Sequence, residues 1–219
     1  SSDLTVKSME ESPRTERPKP PFTTSTMQQD AGSRLGWGAQ ITMRVAQRLY
    51  ENGYITYMRT DSINLSQQAI TAARNAAKAL YGADHVADAP RVYQGKSKNA
   101  QEAHESVRPT SVLRTPEDLK DRLDDDQFKL YSLIWKRAVA SQMVPAVYDQ
   151  TTADVSAGRA TFRATGSLLK FPGYLAVYGA QRPEEEAGAA AEGGAEGGEE
   201  GGGEGGEDAA AAAAAEETD

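Results

Sequence analysis

The C-terminal end of the chain contains no residues that could form a hydrophobic core. From Glu184 to Asp219 it holds 13 acidic residues, no basic residue, and otherwise only Ala, Gly and Thr218. Such a segment cannot bury enough apolar surface to offset the entropy lost on folding, so we expect residues 180–219 to be a disordered acidic tail. Any fold must therefore be built from about the first 180 of the 219 residues.

The charge of these first residues differs from the average over the sequence. The net charge of the whole chain is -8, which taken alone argues against a nucleic-acid partner. Residues 1–183, however, hold 24 basic and 19 acidic residues, a balance of +5. Because the body of the protein is mildly basic, a nucleic acid stays among the partners to consider.

Composition disfavours several other classes of protein. The chain has no Cys, so it has neither a disulfide framework nor a thiolate zinc site. No apolar run approaches the roughly 20 residues that a membrane-spanning helix needs, and the first residues lack the pattern of a signal peptide. We expect a cytoplasmic protein. Because the sequence starts without Met and ends in low complexity, we also expect a fragment of a longer chain.

Several stretches between residues 23 and 143 show the apolar spacing and the end signals of α-helices. Ser66, Thr115 and Asp124 each stand where a side-chain oxygen can cap the first turn of a helix. The predicted helices cover residues 23–40 with breaks near Gly32 and Gly36, about 41–52, 67–81, a short stretch from 116, and about 125–143.

The segments on either side of this helical block are predicted to be extended. Residues 4–8 indicate a short strand, and four prolines from Pro13 to Pro21 predict a connector that is neither helix nor central strand. After Pro145, apolar residues alternate with period two around Ala157 and Gly158, which predicts a β-hairpin. Residues 171–178 are interpreted as a third strand. The predicted fold class is therefore α+β.

Common catalytic motifs are missing from the sequence. No Ser has both the glycine-elbow pattern and a partner His, and neither a Walker glycine loop nor a Rossmann fingerprint is present. Asp124, Asp125 and Asp126 could suggest a Mg²⁺ site. They precede a strong helix, however, so capping and the helix dipole explain them better.

A polar segment, residues 57–62, combines Tyr57 with Arg59 and three short polar side chains. On an extended backbone, Tyr57 and Arg59 project to the same side. Tyrosine is a poor nucleophile unless charge on its electrophile is stabilised, and a guanidinium that binds two phosphate oxygens provides that stabilisation. The residues alone leave two interpretations open: phosphoryl chemistry, or a structural role in which Tyr57 packs and Arg59 pairs with Asp61.

Three stretches in the same order resemble motifs of the type IA DNA topoisomerases, specifically of bacterial topoisomerase I. They are PFTTSTMQQDA at 21–31, LYENGYITYMRTDS at 49–62 and AQEAHESVRPT at 100–110. Three motifs in register across some ninety residues are hard to reach by chance. The resemblance covers residues 1 to about 178.

The resemblance implies an isomerase that cleaves and reseals one DNA strand. Tyr57 would attack a phosphodiester of single-stranded DNA, giving a 5′-phosphotyrosine link and a free 3′-hydroxyl. Arg59 would hold the scissile phosphate and offset its developing charge. Because the protein link conserves the bond energy, no ATP is needed, and the intact parent would relax negatively supercoiled DNA.

The resemblance also implies supporting residues around this pair. His104 matches a family histidine near the scissile phosphate, where its imidazole could donate a hydrogen bond to the DNA. Arg108, Lys96 and Lys98 are weaker candidates for contacts to the DNA backbone. The family positions that shape or surround the site are matched by Thr60, Asp61, Gln47, Glu51 and Thr56.

Part of the family's machinery is not found in this sequence. In the family, an N-terminal TOPRIM domain holds the acidic cluster that binds Mg²⁺, so the resemblance implies no metal ligand in this chain. It divides the chain into the end of a β-rich arch segment with its connector (1–19), a winged-helix-like helical domain with the tyrosine (20–143), incomplete return strands of the arch (144–179), and the acidic tail (180–219).

The resemblance also implies the partners and location of the protein. The partners would be single-stranded and negatively supercoiled DNA and the parent's TOPRIM and arch domains. The parent would be a monomer of the bacterial cytoplasm, associated with the nucleoid. By itself, the fragment is expected to be inactive.

Other functions stay open at this point. The helices could form a non-catalytic DNA-binding module in which Tyr57 stacks on a base. A tyrosine recombinase is disfavoured because the Arg and His-x-x-Arg elements that should precede its tyrosine are absent. The fourth candidate is an interaction protein that works through its acidic tail.

Overall fold

The helices of the protein begin and end at the capping residues and glycines of the sequence. The computed structural model describes residues 4–93 and 105–180. The helices are α1 (Thr24–Leu35), α2 (Ala39–Glu51), α3 (Gln67–Tyr81), α4 (Pro116–Leu119) and α5 (Asp125–Ala140).

Side-chain caps explain four of these helix starts, and at α1 the cap is a capping box of Thr23 with Thr26. Ser66 accepts a hydrogen bond from the amide of Ala69, while Thr115 and Asp124 form capping boxes at α4 and α5. Gly36 ends α1 in the left-handed conformation, with φ of 70°. The predicted helices are therefore confirmed, although α5 ends at Ala140 and not near residue 143.

Three antiparallel strands form a sheet in the order β1, β2, β3: β1 (Leu4–Glu16), β2 (Ala146–Ala157) and β3 (Ala160–Phe171). The hairpin of β2 and β3 confirms the prediction, and Gly158 has φ of 58° in its turn. β1 and β2 pair along their whole length, so Glu16 lies opposite Ala146. The α+β class is confirmed.

Two predictions for the extended segments are wrong. The expected connector is partly strand, because β1 continues past Pro13, which lies opposite Asp149. A proline is tolerated there since β1 is at the edge of the described sheet.

Residues 173–178, expected as a third strand, form a 3₁₀-helix. Gly173 explains the change of direction, because its φ is 50° and an added Cβ would lie 2.3 Å from the carbonyl oxygen of Pro145. Only a glycine permits this turn and this close approach.

The hydrophobic core of the helical part surrounds α5. Leu130 and Ile134 are fully buried on this helix. Two aromatic side chains of α5 also bind the preceding loop, because Trp135 Nε1 donates to the Val112 carbonyl at 2.8 Å and Tyr131 Oη donates to the Arg114 carbonyl at 2.6 Å. Burial raises the pKa of Tyr131. Within the described ranges, no helix has the length and apolar character needed to cross a membrane.

A buried ion pair joins α1 to α5. Arg137 Nη2 lies 3.3 Å from Asp30 Oδ1, and the side chains of Arg137 and Asp30 are 8% and 10% exposed. The guanidinium lies 4.3 Å from the centre of the Phe22 ring, and its Nη1 donates to the Pro20 carbonyl at 3.4 Å. The pair therefore fixes the start of α1 and the chain that leads into it.

A second set of stabilising contacts lies where the sheet meets the helices. Tyr174 Oη donates to Glu16 Oε1 at 2.6 Å, and the Arg14 guanidinium lies 5.3 Å from the centre of the Tyr148 ring. Burial, together with the neighbouring Glu16 carboxylate, raises the pKa of Tyr174. These contacts hold β1 and β2 against the 3₁₀-helix at the point where both strands reach the helical part.

Replacing Asp30 by Ala should lower the free energy of unfolding by about 3 kcal/mol, because Arg137 would keep a buried charge without the carboxylate that faces it. Chemical denaturation at neutral pH measures the loss. Gln29→Ala, an exposed neighbour on α1, is the control and should change the stability by less than about 0.5 kcal/mol. Similar losses in the two variants would contradict a stabilising role for the pair.

Candidate active site

The segment from Tyr54 to Ser62 follows α2 and is held in place by hydrogen bonds from distant parts of the chain. On one side, Thr56 N donates to the Arg108 carbonyl at 2.9 Å, and Thr110 N donates to the Tyr54 carbonyl at 3.0 Å. On the other side, Thr24 N donates to the Thr60 carbonyl at 2.9 Å. The segment belongs to the stretch 49–62 that resembles the family. It is therefore held by residues of the other two such stretches, 21–31 and the described part of 100–110.

The side chains of this segment divide into a buried and an exposed set. Ile55 and Met58 are each 1% exposed and anchor the segment in the core. Tyr57, by contrast, is 48% exposed, and Arg59 is exposed as well. A ligand can therefore reach both the phenol and the guanidinium.

Tyr57 packs against Tyr50, which belongs to the last turn of α2. The ring centres are 5.3 Å apart, and the planes meet at 64° in an edge-to-face arrangement. Such a contact favours one orientation of the Tyr57 ring without covering it. Tyr57 therefore packs, as the structural interpretation predicted. Its ring is still accessible to a ligand.

Arg59 does not form the ion pair with Asp61 that the structural interpretation required. Among the described residues, no carboxylate lies within ion-pair distance of its guanidinium. Arg59 and Asp61 instead line a shallow depression of about 420 Å³ together with Thr60, Thr24 and Ser25. An exposed guanidinium that no described carboxylate pairs with can bind an anion such as a phosphate.

Two of the supporting candidates have hydrogen-bond partners inside the protein. Thr56 Oγ1 donates to the Ser106 carbonyl at 2.7 Å and accepts from Arg108 N at 3.0 Å. Thr60 Oγ1 accepts from Ser62 N at 3.1 Å. Both hydroxyls therefore shape the backbone of the segment, and any contact of theirs with a ligand stays a prediction.

Gln47 and Glu51 lie one turn apart on α2. Gln47 Nε2 donates to Glu51 Oε1 at 2.7 Å. Glu51 is exposed and Gln47 is half-buried. The structure shows this hydrogen bond, whereas a role of the two residues in the active site is implied only by the resemblance.

Arg108 is bound by the protein itself. Its Nε donates to Glu105 Oε2 at 3.1 Å, its Nη2 donates to the same oxygen, and its Nη1 donates to the Pro109 carbonyl. Glu105 Oε1 accepts from the amide of Ser66, the N-cap of α3. Burial alone would raise the pKa of Glu105, but the bonds from Ser66 and Arg108 outweigh it and lower that pKa. A DNA contact by Arg108 would compete with this carboxylate.

Three of the predicted site residues lie outside the described residues. They are His104, Lys96 and Lys98. Their predicted contacts with DNA stay predictions.

The described residues do not offer a metal site. Over residues 4–93 and 105–180, no group of three or more His, Asp or Glu side chains could hold a metal ion. Asp124 accepts from Gln127 N at 2.8 Å and caps α5, which confirms the structural interpretation of the three aspartates. A magnesium ion does not fit this part of the protein.

Sequence reasoning missed Tyr50 and Thr24. Tyr50 lies within one of the recognised stretches, but nothing in its spacing indicates a contact with a ring seven residues later. Thr24 lies in another recognised stretch, and its hydroxyl contacts the segment 34 and 36 residues away. These contacts depend on how α1 and α2 pack, which local patterns do not report.

The sequence and the fold of the chain are similar to those of DNA topoisomerases. A model of the DNA topoisomerase family matches residues 1–200. DNA topoisomerase 1 of Mycobacterium leprae is 50% identical over 197 residues, which cover 87% of this chain and 21% of that protein. DNA topoisomerase 1 of Mycobacterium tuberculosis is 52% identical over 185 residues, covering 81% of this chain and 20% of that protein.

A solved structure agrees with these matches. Full-length topoisomerase I from Thermotoga maritima is similar with a TM-score of 0.70 and 39% identity, over 83% of this chain and 30% of that one. The chain belongs to the bacterial DNA topoisomerase I family, which is of type IA. It spans about a fifth of the length of the curated relatives it matches.

Glu105→Gln should destabilise the protein in a pH-dependent manner. The pKa of Glu105 is lowered in the folded state, so its contribution is present above its ordinary pKa of 4.5 and is lost as pH falls through the folded value. We expect a loss of about 1–2 kcal/mol at pH 7, which shrinks as the pH falls below 4.5. Denaturation curves of both proteins between pH 3 and 7 measure the difference.

The exposed carboxylate Glu117 on α4 provides the control. Glu117→Gln should change the stability little at neutral pH, because surface charges contribute about 0.5 kcal/mol or less. A Glu105→Gln difference that stays constant with pH would show that its charge is not responsible.

Proposed function

We propose that this chain supplies the nucleophile of a type IA DNA topoisomerase, which cleaves and reseals one strand of DNA. The observation that carries the proposal is an accessible Tyr57 two residues from Arg59, whose guanidinium faces a depression and has no described carboxylate partner. Membership of the family supports the same assignment.

The proposed reaction exchanges one phosphodiester for another. The Tyr57 phenol oxygen attacks the phosphorus and loses its proton, the bond to the 3′-oxygen breaks, and the departing oxygen gains a proton. The products are a 5′-phosphotyrosine and a free 3′-hydroxyl, and the reverse steps reseal the strand. Because one phosphoester replaces another of similar energy, the cycle needs no ATP.

Arg59 contributes by stabilising charge. Negative charge builds up on the phosphate oxygens in the transition state, and a guanidinium can bind two of them at once. Within residues 4–93 and 105–180 no carboxylate pairs with this guanidinium, so its charge is available to the phosphate. The contact with the Tyr50 ring favours one orientation of the Tyr57 ring, so less orientational freedom has to be lost before the attack.

The remaining machinery is proposed to lie in other parts of the parent protein. The family's Mg²⁺ would be held by the acidic cluster of a TOPRIM domain, since the described residues do not fit a metal, and no step above passes through the ion. We propose single-stranded DNA as the bound form and negatively supercoiled DNA as the substrate of a monomeric cytoplasmic parent enzyme. His104 would assist at the same phosphate.

A non-catalytic DNA-binding module is the second candidate. It is favoured by the two adjacent rings, because Tyr50 and Tyr57 are 41% and 48% exposed and could both stack on bases. Such a module would bind single-stranded DNA without forming a covalent bond.

Tyr57→Phe should abolish covalent attachment to DNA and leave binding nearly unchanged, because it removes only the attacking oxygen. The assay uses a chimera in which this chain replaces the matching segment of a full-length relative about 50% identical to it. The chimera is mixed with Mg²⁺ and single-stranded DNA labelled at its 3′ end, then stopped with denaturant. A 5′-phosphotyrosine carries the label into the protein band.

Tyr54→Phe is the matched control for this experiment, since Tyr54 lies in the same segment and is half-buried. It should keep the adduct. A chimera that binds DNA and never forms an adduct would favour the binding module, and an adduct that survives in Tyr57→Phe would exclude Tyr57 as the nucleophile.

Arg59→Ala should slow strand cleavage by about 10²–10³-fold, because the charge it offsets is largest in the transition state. Binding of single-stranded DNA should weaken much less, by about tenfold or under. Single-turnover cleavage and equilibrium binding of the chimera give the two values. Equal losses in both would mean that Arg59 only binds the DNA backbone.

A further inference from the structure

The hydroxyl of Thr24 holds both peptide units that flank Arg59. Thr24 Oγ1 donates to the Met58 carbonyl at 2.7 Å, and this carbonyl belongs to the peptide unit before Arg59. The same oxygen accepts from Thr60 N at 2.8 Å, which belongs to the peptide unit after Arg59. One side chain from α1 therefore restrains the backbone on both sides of the guanidinium-bearing residue.

This hydroxyl is not needed to begin its own helix. α1 is capped by Thr23, which forms a capping box with Thr26. Helix starts need such a side-chain acceptor because their first amides lack partners within the helix. Since Thr23 already supplies it, the bonds of Thr24 to Met58 and Thr60 serve the neighbouring segment.

The helix that carries Thr24 is itself firmly held. Met27 and Ala31 are fully buried on its inner face, and Asp30 forms the buried pair with Arg137. A restraint passed through Thr24 is therefore anchored in the core. By contrast, the Arg59 side chain is exposed, and in the described residues no ion pair holds it.

We propose that Thr24 is a positioning residue for strand cleavage, which sets where the Arg59 guanidinium stands relative to Tyr57. This inference rests on the proposed function of Tyr57 and Arg59. The Thr24 hydroxyl has the Met58 carbonyl at 2.7 Å and the Thr60 carbonyl at 3.1 Å as acceptors for its proton, and it accepts from the Thr60 amide. All three partners are backbone groups, so Thr24 acts through the backbone and not on the phosphate. An error of about 1 Å in the placement of a catalytic group can cost about 10²-fold in rate.

The test uses three variants of the chimera described above. Thr24→Val keeps the shape of the side chain and removes the hydroxyl, and Thr24→Ser restores the hydroxyl without the methyl group. Thr24→Val should slow single-turnover cleavage by about 10–100-fold, while the Kd for single-stranded DNA changes less than about threefold. Thr24→Ser should recover most of the rate. If Thr24→Val does not fold, Thr24→Ala serves as the second hydroxyl-free variant.

A double-mutant cycle with Arg59 separates positioning from a general structural role. If Thr24 acts through Arg59, Thr24→Val should have little further effect in the Arg59→Ala background. Thr26→Val is the matched control, since it removes capping-box bonds at the same end of α1. Any loss of cleavage rate that Thr26→Val causes should be the same whether residue 59 is Arg or Ala.

The outcomes distinguish this inference from the function on which it rests. A wild-type chimera that forms no adduct overturns the proposed function, and this inference with it. A wild-type chimera that cleaves normally, with a Thr24→Val variant of equal rate, overturns the role of Thr24 alone. A Thr24→Val loss of the same size in the Arg59→Ala background also overturns it.

Discussion

The candidate site depends on a segment without regular secondary structure, residues 54–62, that is hydrogen-bonded on both sides by chain far away in the sequence. Two threonine hydroxyls make the same kind of contact there. Thr24 bonds the carbonyl before Arg59 and the amide after it, and Thr56 does the same on either side of Val107. Because each hydroxyl restrains two peptide units, a segment with no regular structure of its own can present Tyr57 in one conformation.

Local signals were sufficient for the helices and insufficient for two of the extended segments. Caps such as Ser66 and the left-handed Gly36 act on their own neighbours, so the sequence shows them directly. Pro13 was misjudged because its acceptance in β1 depends on the strand's place in the sheet. The 3₁₀-helix after Pro172 follows from a close approach of Gly173 to Pro145, which no local rule reports.

The same division holds for the site. Tyr57 and Arg59 could be selected from their chemistry and from the family resemblance, because reactivity depends on residue type. Their surroundings could not, since the contacts of Tyr50 and Thr24 arise from the packing of α1 and α2. For Arg108, residue type indicated a DNA contact but not its partner within the protein, Glu105, and the DNA contact stays a prediction.

The pairing of Glu16 with Ala146 has a mechanical meaning. The chain enters the helical part from β1 and leaves it into β2, and the 3₁₀-helix that follows β3 returns to pack against α5. The ends of all three strands therefore reach the helical part on the same side of the sheet, so a displacement between the two must bend the strands at this joint or loosen the contacts of the 3₁₀-helix. Two contacts near this joint resist bending: the hydrogen bond from Tyr174 to Glu16 and the stacking of Arg14 on Tyr148. Tyr57 and the residues that hold its segment all lie in the helical part, so bending at this joint would carry them together.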